Sequence, residues 1–181
     1  MKKFYLFFLL ILLFALNLYS QSYLGYITKK VTMRDGPGKE YKTLLTLKKN
    51  SPVFLFSLTT ENDYYHIIDI ETNTEGYIPS TYVKNIETLE STSGKVFSPT
   101  GPISSNNSEV HVFNNTSETM TLKLNKSAYV FSPHETKIIY LAPGKYAFFA
   151  SAPGVIPSYG SQYFEKGMGY EWVFYIITKR Y

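Results

Sequence analysis

Short runs of β-branched and aromatic residues recur along most of this chain, and turn-forming residues separate them. In the first half these runs occupy residues 23–28, 31–33, 43–47, 53–58, 64–70 and 76–79. The breaks between them are rich in Gly, Pro, Asn, Asp and Ser, which favour turns over continuous strands or helices. Many short strands at this spacing predict an all-β protein built from a small barrel or a sandwich.

The composition excludes several classes of protein. The chain has no cysteine, which rules out disulfides, thiolate zinc sites and a cysteine nucleophile. Its formal net charge of +4 includes Lys2 and Lys3, and no run of basic residues is longer than two. A nucleic-acid-binding surface requires clustered basic residues, so we expect no nucleic-acid partner.

The N-terminus has the pattern of a secretory signal peptide. Two lysines precede an apolar run from Phe4 to Leu18, and small residues follow it. A membrane-spanning helix needs about 20 residues, and this run is shorter. Its length therefore favours cleavage over a retained membrane anchor, and cleavage after Ser20 or after Ser22 fits the sequence. We therefore predict that residues 1–20 are a signal peptide and that the mature protein, without a membrane span, is periplasmic or secreted.

The region from Val31 to Val83 carries an ordered set of short motifs. A strand runs into Arg34-Asp35-Gly36-Pro37, and Tyr41 follows this turn. The later motifs are Leu47-Lys48-Lys49-Asn50, Val53, Tyr64-Tyr65-His66-Ile67, Gly76-Tyr77-Ile78 and Ser80-Thr81-Tyr82-Val83. This order resembles the bacterial SH3-like (SH3b) domain, which implies a small barrel over residues 23–86. Asn50 replaces a usual glycine, a mild change because Asn tolerates the left-handed conformation, and Tyr65 and Tyr77 replace tryptophans that are common in the family.

The same resemblance implies a binding function, because members of this family hold proteins against peptidoglycan or bind short peptides. A tyrosine face can stack on a sugar or a proline ring while its hydroxyl stays hydrated. The candidate ligand-binding residues are Tyr41, Tyr64, Tyr65, Tyr77 and Tyr82. The alternative is that these rings complete a small core. We expect Arg34 to stabilise its own turn through hydrogen bonds to carbonyl groups.

The second half of the chain predicts a separate unit. Residues 87–107 are rich in Ser, Thr, Pro and Gly, which predicts an extended linker, with Val96-Phe97 as an alternative start of the next domain. Alternating apolar and polar residues then predict seven short strands over 108–181. This pattern indicates an antiparallel β-sandwich of the immunoglobulin type, without the Cys-Trp-Cys signature of that family.

Two strands of the predicted sandwich are apolar on both faces. Phe149 lies opposite Phe148, and the face opposite Trp172 and Phe174 carries Val173, Tyr175 and Ile177. One face of such a strand normally meets water, and a bare second apolar face would lower solubility. We therefore expect an interface, with the first domain or with a partner, that contains Phe149, Val173, Tyr175 and Ile177.

Candidate catalytic groups are sparse and scattered. His66, His111 and His134 form no metal-binding motif, and neither a Gly-x-Ser-x-Gly elbow nor a phosphate-binding glycine loop occurs. We therefore expect no enzymatic activity, no metal and no cofactor. The sequence favours an exported, non-catalytic binding module that contacts cell-wall glycan or peptide. The alternatives are an accessory protein of an envelope complex that uses both domains for protein contacts, and a secreted regulator or inhibitor of a wall hydrolase.

Overall fold

The computed structural model describes residues 21–94 and 96–175, so the predicted signal peptide lies outside the described residues. The described chain is all-β, as the sequence predicted, with a single 3-10 turn at Ser80–Tyr82. The first seven strands are β1 (Ser22–Ile27), β2 (Val31–Arg34), β3 (Thr43–Leu47), β4 (Pro52–Leu55), β5 (Tyr64–Asp69), β6 (Thr74–Pro79) and β7 (Val83–Leu89). The others are β8 (Ser98–Pro102), β9 (Ser108–Asn114), β10 (Met120–Leu124), β11 (Ser127–Phe131), β12 (Thr136–Leu141), β13 (Gly144–Ser151), β14 (Ser158–Phe164) and β15 (Met168–Phe174).

Strands β1 to β7 form one antiparallel sheet, the first sheet, in the order β3-β2-β6-β5-β4-β1-β7. Alternate residues of its strands point to its inner face, where they form an apolar core. The buried members of this core are Ile27, Val31, Met33, Leu47, Val53, Leu55, Ile67 and Ile78. Asn50 adopts the left-handed conformation with φ of 67°, which is the conformation that a glycine at this turn would supply.

The first sheet is curled but not closed, which corrects the expectation of a barrel. Its edge strands are β3 and β7, and within the described residues they do not pair with each other. Strands β2 and β6 share one register pair, Arg34 with Tyr77. Because this ladder is so short, the hairpin of β2 and β3 can fold across the other strands. Leu47 of β3 and Val83 of β7 then pack on the same core, which the curled sheet encloses without a continuous ring of hydrogen bonds.

Strands β8 to β15 form a sandwich of two four-stranded sheets, with the orders β11-β10-β13-β14 and β12-β9-β15-β8. Its centre is aromatic: Phe97 lies 5.4 Å from Phe148, 5.2 Å from Phe164 and 5.1 Å from Trp172, measured between ring centroids. The sheets are antiparallel except for β9 with β15, which run parallel. The prediction of an antiparallel sandwich is wrong for this pair. Strands β10 to β14 lie between β9 and β15 in the chain and form the long crossover connection that a parallel pair requires.

The predicted linker, residues 87–107, contributes to both units. Strand β7 continues to Leu89, β8 spans Ser98–Pro102, and the ring of Phe97 is buried in the sandwich core. Between these strands, the N–H groups of Thr92 and Gly94 donate to β14, at 2.8 and 3.1 Å. Backbone pairing and one aromatic side chain thus order a segment whose composition alone indicates an extended linker.

A third apolar cluster, the interface cluster, lies between the first sheet and the sandwich. The buried side chains of Leu24, Phe54, Ile68 and Ile70 form its first-sheet side, and Phe149 and Tyr159 of the sandwich pack against them. Phe54 makes edge-on contacts with both rings, at 5.5 Å to Phe149 and 5.8 Å to Tyr159. The cores of the two units remain separate clusters, so the units pack against each other without merging.

Candidate functional site

The turn after β2 is held by Arg34 and Tyr41. The Arg34 Nη1 atom donates to the carbonyl oxygen of Tyr41 at 2.7 Å and to Thr43 Oγ1 at 3.3 Å. The Tyr41 ring lies directly over Gly36, where an added Cβ would stand 2.2 Å from Tyr41 Cδ1. Only glycine permits this approach, and the guanidinium group of Arg34 is committed to the turn, as the sequence predicted.

The five candidate tyrosines do not gather in one groove. Tyr64 is buried, and Tyr65 and Tyr82 pack in part against the core of the first sheet. Tyr65 faces this core because alternate residues of β5 point to opposite faces, and Ile78 lies beside it on β6. Tyr41 and Tyr77 lie outside the core: Tyr41 is 42 % exposed, and Tyr77 pairs in register with Arg34, whose side chain binds the Tyr41 carbonyl oxygen.

An aromatic row crosses the outer face of the first sheet. Tyr77, His66 and Phe56 stack in this order, with centroid distances of 4.7 and 4.4 Å and interplanar angles of 15° and 22°. Phe56 continues the row to Phe149 of the sandwich at 5.5 Å. Strand pairing places His66 directly opposite Tyr77, so the stack follows from register. The aromatic row links the turn of Arg34 to the interface cluster.

Glu75 connects this row electrostatically to the sandwich. Its Oε1 atom lies 3.0 Å from His66 Nε2, and its Oε2 atom accepts a hydrogen bond from Lys123 Nζ of β10 at 2.8 Å. The hydrogen bond from His66 lowers the pKa of Glu75 to about 2; burial opposes this shift, and Lys123 adds to it. Glu75 is therefore a carboxylate at neutral pH and bridges the two units.

A hollow lies at the outer end of the aromatic row and is called here the Tyr77 hollow. It encloses about 420 Å³ and is lined by Asp35, Leu44, His66, Glu75, Gly76 and Tyr77. Burial, followed by the negative charges of Glu61 and Glu75, raises the pKa of Tyr77. The Tyr77 hydroxyl is thus protonated at neutral pH and can donate a hydrogen bond. The Tyr77 hollow combines an aromatic surface with acidic groups.

A larger cleft, the inter-unit cleft, lies between the first sheet and the sandwich and encloses about 1200 Å³. Phe56, Thr88 and Leu89 of the first unit line one side, and Lys123, Ala147 and Phe149 of the sandwich line the other. No sequence pattern predicts this cleft directly, because its two walls come from units that are distant along the chain. The outward-facing Phe149 is the sequence feature that indicates an apolar contact on this side of the sandwich.

The four predicted interface residues fall in different places. Phe149 lies in the interface cluster and contacts Phe54 and Phe56. Val173 and Tyr175 are 41 % and 59 % exposed on the other side of the sandwich, and Ile177 lies outside the described residues. The separation has a simple cause: β13 and β15 belong to different sheets, whose outer faces point in opposite directions.

Comparison with known proteins finds no matching family model, no matching curated protein and no matching solved structure. Within the described residues, no cluster of three or more His, Asp or Glu side chains could hold a metal ion. No helix in the same part of the chain is long and apolar enough to cross a membrane. The fold and its cavities therefore define the class: a two-unit, all-β protein with an aromatic surface hollow and a cleft between its units.

Proposed function

We propose that this protein is an exported, non-catalytic binding module whose first unit contacts cell-envelope material, either peptidoglycan or a peptide. The observation that carries the proposal is the Tyr77 hollow, where the Tyr77 ring stands outside the core beside Asp35 and Glu75. The exposed ring of Tyr41 lies over Gly36 in the turn after β2. Aromatic faces with hydrogen-bonding groups around them suit sugars and peptides alike. Export is supported by the signal-like N-terminus, and the ligand class by the resemblance to bacterial SH3-like domains.

The absence of catalysis is part of this proposal. Glu75 has the most strongly lowered carboxyl pKa, yet both its oxygens are held by His66 and Lys123, where they connect the two units. The imidazole ring of His66 is sandwiched between Phe56 and Tyr77. A group committed in this way acts as a structural element, and a general acid or base would instead need access to a substrate proton.

The test is co-sedimentation of the mature protein with purified peptidoglycan. We expect the double variant Tyr41→Ala, Tyr77→Ala to lose most of its pelleting, because it lacks the Tyr77 ring that lines the hollow and the exposed Tyr41 ring of the turn after β2. Tyr163→Ala is the matched control, since Tyr163 is 60 % exposed on β14 and does not line the hollow. Circular dichroism must show that all three proteins are folded. Equal pelleting of the double variant and the control would contradict the role of the hollow.

A second candidate function is assembly within an envelope complex, which one observation favours. The outer face of the sheet formed by β12, β9, β15 and β8 exposes Ile138, Tyr140, Val173 and Tyr175. Several apolar side chains on one sheet face are typical of a protein-binding surface. If the protein does not pellet with peptidoglycan at any salt concentration, this second function is the better explanation.

A further inference from the structure

The walls of the inter-unit cleft are fixed relative to each other. The Tyr159 hydroxyl of the sandwich donates to the carbonyl oxygen of Leu89 at 2.5 Å. The Glu75–Lys123 ion pair at 2.8 Å forms a second connection, and the interface cluster packs beneath the cleft. A cleft with walls held in this way is preformed, so a ligand would not have to order it first.

The lining of the cleft combines aromatic rings with hydroxyl groups. Phe56, Phe149 and Tyr159 supply ring surface, and Thr88 and Ser161 supply hydroxyl groups around it. A hydroxyl group carries one donor and two acceptor positions, so it can bind a ligand hydroxyl in either direction. The cleft thus offers apolar planes and versatile hydrogen-bonding groups together.

The charges of the lining nearly balance. Lys123 of the lining pairs with Glu75, and the lining also contains Lys145 and Glu90, whose charges have opposite signs. A strongly charged ligand would therefore find no net complementary charge in the cleft. The lining suits a neutral ligand.

An extended peptide would need a free strand edge, and the edge of β14 beside the cleft is already paired. Thr92 N donates to Tyr159 O at 2.8 Å and Gly94 N donates to Ser161 O at 3.1 Å. Ser161 N donates in turn to Ser93 Oγ at 2.9 Å. Addition of a peptide strand here would require these bonds to break, which disfavours this recognition mode.

We propose that the inter-unit cleft is a binding site for a neutral oligosaccharide. A pyranose ring has an apolar C–H face that packs on aromatic rings and equatorial hydroxyls that reach polar groups around them, as the lining of the cleft provides. The volume of about 1200 Å³ exceeds the roughly 300–1,000 Å³ of pockets for single small molecules, which favours a chain of several sugars. This site is distinct from the Tyr77 hollow and does not depend on the function proposed for it.

The test is calorimetric titration of the mature protein with neutral tetrasaccharides of β-1,4-linked glucose, β-1,4-linked N-acetylglucosamine and α-1,4-linked glucose. We expect saturable binding of at least one of them. Ala147→Trp should weaken that binding at least tenfold, because Ala147 is exposed on the cleft wall and a bulky ring there fills the cleft. Thr88→Trp on the opposite wall should have the same effect and provides an independent variant.

Ala142→Trp is the matched control, because Ala142 is also exposed on the sandwich but does not line the cleft. Leu44→Ala, which changes an exposed residue of the Tyr77 hollow, should bind the sugar as the wild type does, which separates this site from the hollow. The proposal is overturned if none of the tetrasaccharides binds. It is equally overturned if binding is unchanged in both cleft variants.

Discussion

Replacement of Phe149 by alanine tests whether the two units stabilise each other. The Phe149 ring lies 5.5 Å from both Phe54 and Phe56 and is partly buried in the interface cluster. Complete burial of a phenylalanine contributes about 1.5–3 kcal/mol, and an aromatic pair adds about 0.5–1.5 kcal/mol. Because Phe149 is only partly buried, we expect Phe149→Ala to lower the free energy of unfolding by about 2 kcal/mol.

The single tryptophan makes the assay specific. Trp172 is buried in the sandwich core, so its fluorescence reports unfolding of the sandwich, whereas far-ultraviolet circular dichroism reports both units. In the wild type we expect the two signals to change together in urea, because the units are coupled. With a slope of about 2 kcal/mol per molar urea, the loss in Phe149→Ala corresponds to a midpoint shift of about 1 M. The two transitions should also separate.

Val173→Ala is the control for this experiment, because Val173 is exposed on the opposite side of the sandwich. It should change the midpoint little, since substitutions at exposed positions usually stay within about 0.5 kcal/mol. If Phe149→Ala has the same midpoint as this control and its two signals still coincide, the interface cluster does not couple the units.

Two further predictions concern a buried amide and an ion pair. Asn114 is buried and its side-chain N–H groups donate to the carbonyl oxygens of Glu118 and Ser132 at 2.8 and 2.9 Å. We expect Asn114→Ala to destabilise the sandwich by about 2–3 kcal/mol in urea unfolding followed by fluorescence, because the hydrogen bonds of this buried amide are lost. The pKa of Glu75 falls from its ordinary 4.5 to about 2 in the folded protein, so its stabilising effect is complete above pH 4.5 and is lost as the pH falls towards 2. We expect Glu75→Gln to cost about 1 kcal/mol or less at neutral pH, because the pair is partly exposed, and to reduce the difference in stability between pH 7 and pH 3.

Each of these has a neighbouring control. Asn115→Ala changes the next, exposed residue and should leave stability unchanged; equal midpoints for Asn114→Ala and Asn115→Ala would show that the buried amide contributes nothing. Glu71→Gln changes an exposed carboxylate in the turn after β5. If Glu75→Gln keeps the full pH dependence of the wild type, the bridge to His66 and Lys123 is not the source of that dependence.

The strands could be predicted from local sequence, because turn preferences and apolar alternation each depend on only a few neighbouring residues. Turn formers such as Asn50 and the Gly36-Pro37 pair mark strand ends through their own backbone preferences, and alternation marks the buried face of each strand. The position of Arg34 against the carbonyl of Tyr41 is also a contact within one loop. For these reasons the all-β class, six of the seven strands of the first sheet and the role of Arg34 could be predicted from the sequence. Strand β7 (Val83–Leu89) was not predicted, because its second half falls in the stretch interpreted as a linker.

Only the tertiary structure decided which outer faces meet. The sequence shows that Phe149 and Val173 both lie on second apolar faces, but nothing in it shows that β13 faces the first sheet while β15 faces away. The pairing of Glu75 with Lys123 joins residues 48 positions apart, and the inter-unit cleft exists only once both units are docked. Sequence patterns show which face of a strand is apolar. The surface that packs against that face is set by contacts between distant segments, and such contacts leave no periodic pattern in the sequence.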